Sequence, residues 1–316
     1  MCENSFDVSV VIPVHNAART INEAINSALS QKLIRVEVIV CDDGSNDGTL
    51  DKLKKFPDSA FKLIVNKTNI GPGPSRDSAI KIARGKWVAF LDADDAFVPG
   101  RLQRMLESTG SKQVDVIFDD LMLCHDTLKG LKPWRSIHGK RAFGAAGVQG
   151  REVRASDYVR SPRLLVKPLI RTEFIREHRV LHSARRFAED AEFILRLVHS
   201  GAKLSYIPQP MYLYRITPGS LTAQAKSPVI MRRVIEECSL WPGWSEVMQK
   251  AFYYKVDSLK SNEKLYEIQD AVKSMKVLKV FKIILNSPSI VLDALKLIPF
   301  KFSYLGHRLL NKGRKR

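Results

Sequence analysis

Four short, nearly continuous apolar runs recur through the first hundred residues: VSVVIPV (8–14), RVEVIVC (35–41), FKLIV (61–65) and KWVAFL (86–91). Runs of this length without polar alternation suit strands covered on both faces. Stretches of helical character lie between them, at about 18–30, 48–55 and 75–84. Alternation at this spacing predicts right-handed βαβ units, hence an α/β fold with a Rossmann-like, mostly parallel sheet flanked by helices. Ligands of such sheets bind beyond the carboxyl ends of the strands. That rule selects the residues just after each run: Pro13 to Asn16, Asp42 to Gly48, Asn66 to Arg76, and the acids Asp92, Asp94 and Asp95.

Further along, VDVIFDDLML (114–123) reads as another strand, and residues 125–160, with Gly139, Gly144, Gly147 and Gly150, as loop-rich. A helix is predicted from Phe187 to about Ser200, then short strands near 203–206 and 211–214. Beyond Thr222 only helices are expected, roughly at 228–239, 245–260, 263–284 and 288–297. The division is an α/β domain over 1–222 and a helical C-terminal region over 223–316.

The net charge of +18 invites a nucleic-acid partner, but its distribution argues otherwise. Residues 1–100 hold 12 basic and 13 acidic side chains, so the other 216 residues carry 39 and 20. A nucleic-acid binder needs basic residues interleaved with aromatics on its sheet or groove, and here the sheet region is near neutral. Residues 271–316 hold 11 basic side chains against one acid, Asp293. The segment VFKIILNSPSIVLDALKLIPFKFSYLGHRLLNKGRKR (280–316) admits two readings: a helical cap with a solvated end, or an interfacial helix on an anionic membrane surface. Cys2, Cys41, Cys124 and Cys238 show neither a C-x-x-C pair nor metal-ligand spacing, which suits packing roles in a reducing compartment. No secretory signal or transmembrane stretch is evident, so a cytoplasmic protein is expected, peripheral on the membrane's cytoplasmic face if the tail binds there.

Four constellations carry chemistry. CDDGSNDGT (41–49) is a polar turn whose carboxylates could accept hydrogen bonds from a ribose or a base; an EF-hand is excluded because Lys54 falls where the bidentate Glu is needed. NIGPGPSR (69–76) lacks both the dinucleotide glycine pattern and a P-loop, and delivers Arg76 near a helix start where an anion could be met. Asp92, Asp94 and Asp95 offer hard oxygen ligands alone, suited to Mg²⁺ or Mn²⁺, with Asp95 as the one most readily given to capping the helix opened by Pro99. In RRFAEDAEFILRL (185–197), Asp190 lies roughly 80° from the centre of the apolar stripe, Glu192 about 120° and Glu189 about 180°. Asp190 is thus read as the most inward carboxylate and a candidate base, with Glu189 retained as the alternative.

In order, VSVVIPVHN, VCDDGSNDGT, NIGPGPSRDSAIKIARGKWVAFLDADD, AEDAEF and YRITPGSLT resemble the motifs of family 2 inverting glycosyltransferases, over about Val8 to Thr222. The resemblance implies a GT-A fold with a C-terminal helical extension, and transfer of a sugar from a nucleoside diphosphate donor, UDP-linked by preference. It implies a glycan or lipid-linked acceptor in bacterial exopolysaccharide, capsule or lipopolysaccharide synthesis. By matching position, Pro13, Asp42 and Asp43 would meet the nucleoside and Arg76 the nucleotide; Asp92 and Asp94 would form the D-x-D pair holding Mn²⁺ or Mg²⁺, with Asp92 also facing the donor. Asp190 would be the general base beside Glu189, with Arg215 and Ser220 near the diphosphate. The chain departs from the family's A-R-N-x-G, reading Ser75, Arg76, Asp77, Ser78, Ala79. A sugar nucleotidyltransferase is the rival enzyme class, but VIPVHNAART lacks the glycine-rich loop it would need.

Overall fold

The computed structural model describes residues 6–110, 112–127, 130–138, 150–216 and 227–273. Strands form on all four apolar runs: β1 (Val8–Val14), β2 (Val36–Asp42), β3 (Lys62–Val65) and β4 (Trp87–Phe90), with α1 (Ile21–Leu29), α2 (Thr49–Leu53) and α3 (Pro72–Ile82) between them. β1 pairs in parallel with both β2 and β4, and β2 with β3. The lack of polar alternation reflects burial on two faces. Val8, Val10, Ile12 and Val14 enter one core with Val38, Val40, Ala89 and Leu91, while Val11, Ile39, Val88 and Phe90 enter the other. Each of these valine, leucine, isoleucine and phenylalanine side chains contributes about 1.5–3 kcal/mol by leaving water.

The chain continues through β5 (Ala96–Phe97), α4 (Arg101–Glu107), β6 (Val116–Thr127), β7 (Gly130–Ser136), β8 (Arg151–Val153), α5 (Ala155–Arg160), β9 (Leu169–Arg171), α6 (Thr172–Glu177), α7 (Glu189–His199) and β10 (Leu204–Arg215), ending in α8 (Ser227–Ser239) and α9 (Glu246–Lys273). The sheet runs β3-β2-β1-β4-β9-β6-β10-β5, with β7 beside β6 and β8 beside β10. β9 lies antiparallel to β4 and β6, inside a sheet otherwise parallel from β3 to β10. Gly85 lets the chain after α3 return closely to the sheet, since a Cβ there would stand 2.3 Å from the Ser9 nitrogen.

Several elements differ from expectation. The two short strands expected near 203–214 are one strand, because register shifts around Pro210 absorb its missing N–H without ending the ladder. The segment expected as loop contains β7, β8 and α5, and the strands' pairing partners include the distant β10. Glu246 to Lys273 is one helix rather than two. The helix expected at 288–297, the end of that expected at 263–284, the basic tail, the boundary at 222, Cys2 and Ser220 lie outside the described residues. α8 and α9 join an existing core: Val234, Ile235, Cys238, Met248, Ala251 and Phe252 pack with Phe193 and Tyr158. Cys41, Cys124 and Cys238 are buried free thiols whose pKa burial raises, to about 11, 11 and 12.

Candidate active site

A cavity of about 770 Å³ opens beyond the carboxyl ends of β1, β2 and β4. Of the residues selected from sequence, Pro13, Asp43, Arg76, Asp92, Asp94, Glu189 and Asp190 line it. Asp42 and Arg215 do not. Asp42 is fully buried, its Oδ2 accepting from the Ser45 N–H at 3.1 Å while Oδ1 finds no protein partner.

Asp43 organises the loop ahead of α3. Its Oδ1 accepts from Asn66 Nδ2 and the Ile70 N–H, each at 2.9 Å, and its Oδ2 from the Gly71 N–H at 2.8 Å. A carboxylate has about four acceptor positions, so one remains for a ligand. Gly71, at φ 96°, makes the turn that brings these two N–H groups back to Asp43.

Arg76, expected to meet a ligand anion, meets two carboxylates. Nη1 donates to Glu189 Oε1 and Nη2 to Asp92 Oδ1, both at 2.9 Å. Burial opposes its charge, but Asp92 and Glu189 hold its pKa above the ordinary arginine value. Asp92 Oδ2 accepts from Lys167 Nζ at 2.6 Å, and the same ammonium lies 3.7 Å from Asp190 Oδ2. Burial would raise the Asp92 pKa; Lys167 and Arg76 overcome it and hold the carboxyl well below the usual range. Lys167 itself, only 4% exposed, is kept protonated by Asp92 and Asp190 against the effect of burial.

Sequence reasoning missed Lys167. The available signal was a single lysine inside an otherwise apolar stretch, LLVKPLI (164–170). Such a residue is buried only if paired, and its partners lie on β4's end and on α7.

The carboxylates of α7 are not ranked as the helix stripe predicts. Glu192 and Glu189 are buried, at 4% and 10% side-chain exposure, while Asp190 keeps 30% because it faces the cavity. The stripe fails because α7 is covered on nearly all sides. Glu192 is satisfied by Ser183, Arg185 and Arg196, and Glu189 by Arg76. Burial and the neighbouring Asp190 push the Glu189 pKa up, partly offset by Arg76. Asp190 Oδ1 accepts from the Ala191 N–H at 2.8 Å.

Asp95 caps no helix. Its Oδ2 accepts from the Tyr212 hydroxyl at 2.8 Å and its Oδ1 from the Arg215 N–H at 2.7 Å, fastening the acidic loop to β10. Burial, with Asp94 and Asp92 nearby, raises its pKa well above normal. The Arg215 guanidinium is 2% exposed and engaged by the Asp94 carbonyl at 2.5 Å, by Asp126 and by Glu23.

Among the described residues no group of three His, Cys, Asp or Glu converges as a metal cage. The D-x-D pair still fits a shared site. Asp92 is held by two cations; burial and Asp92 raise the Asp94 pKa, partly offset by Lys167 and Arg215, so an arriving cation would further favour the Asp94 carboxylate. Mg²⁺ and Mn²⁺ commonly take one or two carboxylates, completing their shell with phosphate oxygens and water.

A mostly parallel sheet with a cavity at its carboxyl edge, lined by paired acids, places the chain among α/β proteins that bind ligands at that edge, and known proteins of similar sequence and structure narrow the class. Residues 9–153 match the model described as Glycosyl transferase family 2. The chain belongs to that family and has the GT-A fold. It is 31% identical over 224 residues to "Succinoglycan biosynthesis protein ExoO" of Rhizobium meliloti, covering 68% of this chain and 62% of that protein. Over 99 residues it is 39% identical to "UDP-Glc:alpha-D-GlcNAc-diphosphoundecaprenol beta-1,3-glucosyltransferase WfgD" of Escherichia coli, covering 31% and 39%. It thus spans less than two thirds of the length of either relative. Among solved structures, TarS 1-349 of S. aureus in complex with UDP-GlcNAc superposes with a TM-score of 0.60 at 19% identity, covering 88% of this chain and 90% of that one. A mannosyltransferase from Pyrobaculum calidifontis, solved with GDP-Man and Mn²⁺, gives 0.61 at 14%, covering 93% and 84%.

Proposed function

We propose that this chain transfers a sugar from a nucleoside diphosphate sugar to an acceptor hydroxyl, with inversion at the anomeric carbon. The observation that carries it is the Lys167 ammonium, which joins Asp92 of the D-x-D pair to Asp190 of α7 within one nucleotide-sized cavity. Donor-side and acceptor-side carboxylates are thereby held a fixed distance apart, as a displacement between two substrates requires.

In this reading Pro13 and the free acceptor position of Asp43 meet the nucleoside. Arg76 fixes Asp92 and Glu189, Arg215 supports the loop bearing Asp94, and Ser220 keeps the diphosphate role that its match to the family's motif implies. Asp190 accepts the acceptor hydroxyl's proton as that oxygen attacks opposite the leaving diphosphate. Asp94 with Asp92 would hold Mn²⁺ or Mg²⁺, which when bound offsets charge on the leaving diphosphate. Turnover is accordingly expected to vanish in excess EDTA and return with Mn²⁺; undiminished activity would remove both acids from that role. A UDP-sugar is the favoured donor and a lipid-linked glycan of bacterial surface-polysaccharide synthesis the favoured acceptor, in keeping with the ligand of TarS and the name of WfgD.

The deciding experiment is a panel of nucleotide sugars with Mn²⁺, read by thermal unfolding and by slow hydrolysis. A ligand at 100 times its Kd stabilises by about 2.7 kcal/mol. No shift with any sugar nucleotide would end the proposal.

No helix among the described residues is long and apolar enough to cross a membrane. Peripheral attachment through the basic tail is our proposal for localisation, since each basic residue near an anionic surface contributes about 1 kcal/mol. Deleting residues 287–316 is expected to abolish co-sedimentation with phosphatidylglycerol-containing vesicles; equal sedimentation of the shortened chain would exclude that role.

A further inference from the structure

A second cavity, of about 10 Å³, shares Arg76, Lys167 and Asp190 with the main one and is closed by Val166, His182 and Phe193. That is about the space one water needs, provided two to four polar partners surround it. Four polar side chains stand in the wall; the Lys167 ammonium is already engaged by Asp92, and the other three concern the water.

The first is Arg76. It is 4% exposed, and its Nε–H has no partner although both terminal nitrogens are paired. Leaving a buried donor on a cationic group unmet is unfavourable, so a bound acceptor is called for.

The second is His182. Its ring stacks on Phe193 at 3.7 Å with 4° between the planes and meets the edge of Phe90 at 5.3 Å, which fixes its orientation. Nδ1 lies 2.7 Å from Asp77 Oδ1, and a carboxylate only accepts, so Nδ1 carries the hydrogen. Burial lowers the His182 pKa, keeping the ring neutral despite Asp77. A neutral ring protonated at Nδ1 presents Nε2 as an acceptor. Here the departure from A-R-N-x-G gains a physical reason: Asp77 sets the tautomer, and also accepts from the His182 N–H at 3.0 Å.

The third is Asp190, whose Oδ1 is engaged by the Ala191 N–H and whose Oδ2 stands 3.7 Å from Lys167, beyond a direct hydrogen bond.

We propose that this cavity holds one ordered water that accepts from Arg76 Nε and donates to His182 Nε2 and to the Asp190 carboxylate, and that it positions Asp190 for proton abstraction. One donor and two acceptors give the water a single polarity. Its hydrogen bond to Asp190 fixes the orientation of that carboxyl group beside the main cavity. Asp77, His182 and the water are positioning groups, since none touches substrate. The role rests on the reading of Asp190 as the base, whereas the water site itself does not.

A high-resolution crystal structure of the full chain is expected to contain one density peak within hydrogen-bond distance of Arg76 Nε, His182 Nε2 and Asp190; an empty cavity overturns the proposal. His182→Phe removes the acceptor, and Val166→Ile fills the space with one methyl group without touching a polar group. Each is expected to lower hydrolysis of the selected sugar nucleotide on the order of tenfold, as losing a group that orients a functional side chain does, with UDP binding unchanged. In an Asp190→Asn background neither should lower it further, because the water acts through that carboxylate. An equal loss in both backgrounds, or wild-type turnover in Val166→Ile, overturns the positioning role. Near-normal turnover of Asp190→Asn alone would instead refute the base assignment, leaving the crystallographic test of the water intact.

Discussion

Asp190→Asn is expected to cut sugar transfer by about 10²–10⁴-fold, the range for loss of a general base, while UDP still raises the unfolding temperature as in wild type. Asparagine preserves the shape, and its oxygen can accept from the Ala191 N–H as Asp190 does. What disappears is the proton acceptor. Donor binding should survive because Asp92 keeps its direct ion pairs with Arg76 at 2.9 Å and Lys167 at 2.6 Å. Glu189→Gln is the comparator: that side chain is turned to Arg76 at 2.9 Å and is a third as exposed as Asp190. It should retain turnover within about tenfold, its loss being one buried charge-assisted hydrogen bond. If the two effects were reversed, Glu189 would be the base.

Much of this frame was legible because it is local. A strand buried on both faces needs consecutive apolar residues, so β1, β2 and β4 appear directly as VSVVIPV, RVEVIVC and KWVAFL. The carboxyl-edge rule then placed Asp43, Arg76, Asp92 and Asp94 around one opening. What was not legible depends on partners remote in sequence. β9, three residues long, exists only because β4 and β6 flank it. One proline separates Lys167 from that strand, and no local pattern announces that its ammonium will find Asp92 and Asp190. The amphipathic stripe of α7 misled for a related reason: it assumes one solvated face, and α7 packs into the core while Glu189 and Glu192 are satisfied by arginines from elsewhere. Asp95 was assigned to structure on sound grounds but to the wrong partner, since β10 takes it instead of the helix start.

Asp119→Ala is expected to be the most destabilising single change in the described fold. Asp119 sits near the start of β6 with 0% exposure and receives Arg101 in a two-pronged pair, Nε to Oδ2 at 2.9 Å and Nη2 to Oδ1 at 2.7 Å. Arg101 is equally buried, lying against the rings of Phe97 at 4.5 Å and Tyr212 at 5.3 Å, and its Nη1 has no partner. Losing Asp119 would leave a buried guanidinium without a counter-charge, at about 3–5 kcal/mol. Replacing both partners with apolar residues, as in Arg101→Met with Asp119→Leu, is expected to recover most of that, because no orphaned charge remains. Activity should not recover with it. Arg101 Nη2 also donates to the Lys167 carbonyl at 2.6 Å, so the pair fixes the backbone from which the Lys167 ammonium reaches Asp92 and Asp190. Denaturant unfolding and turnover should therefore separate: the double variant stable but slow, the single variant unstable. Full turnover in a stable double variant would confine the pair to the core, with no part in holding Lys167 in place.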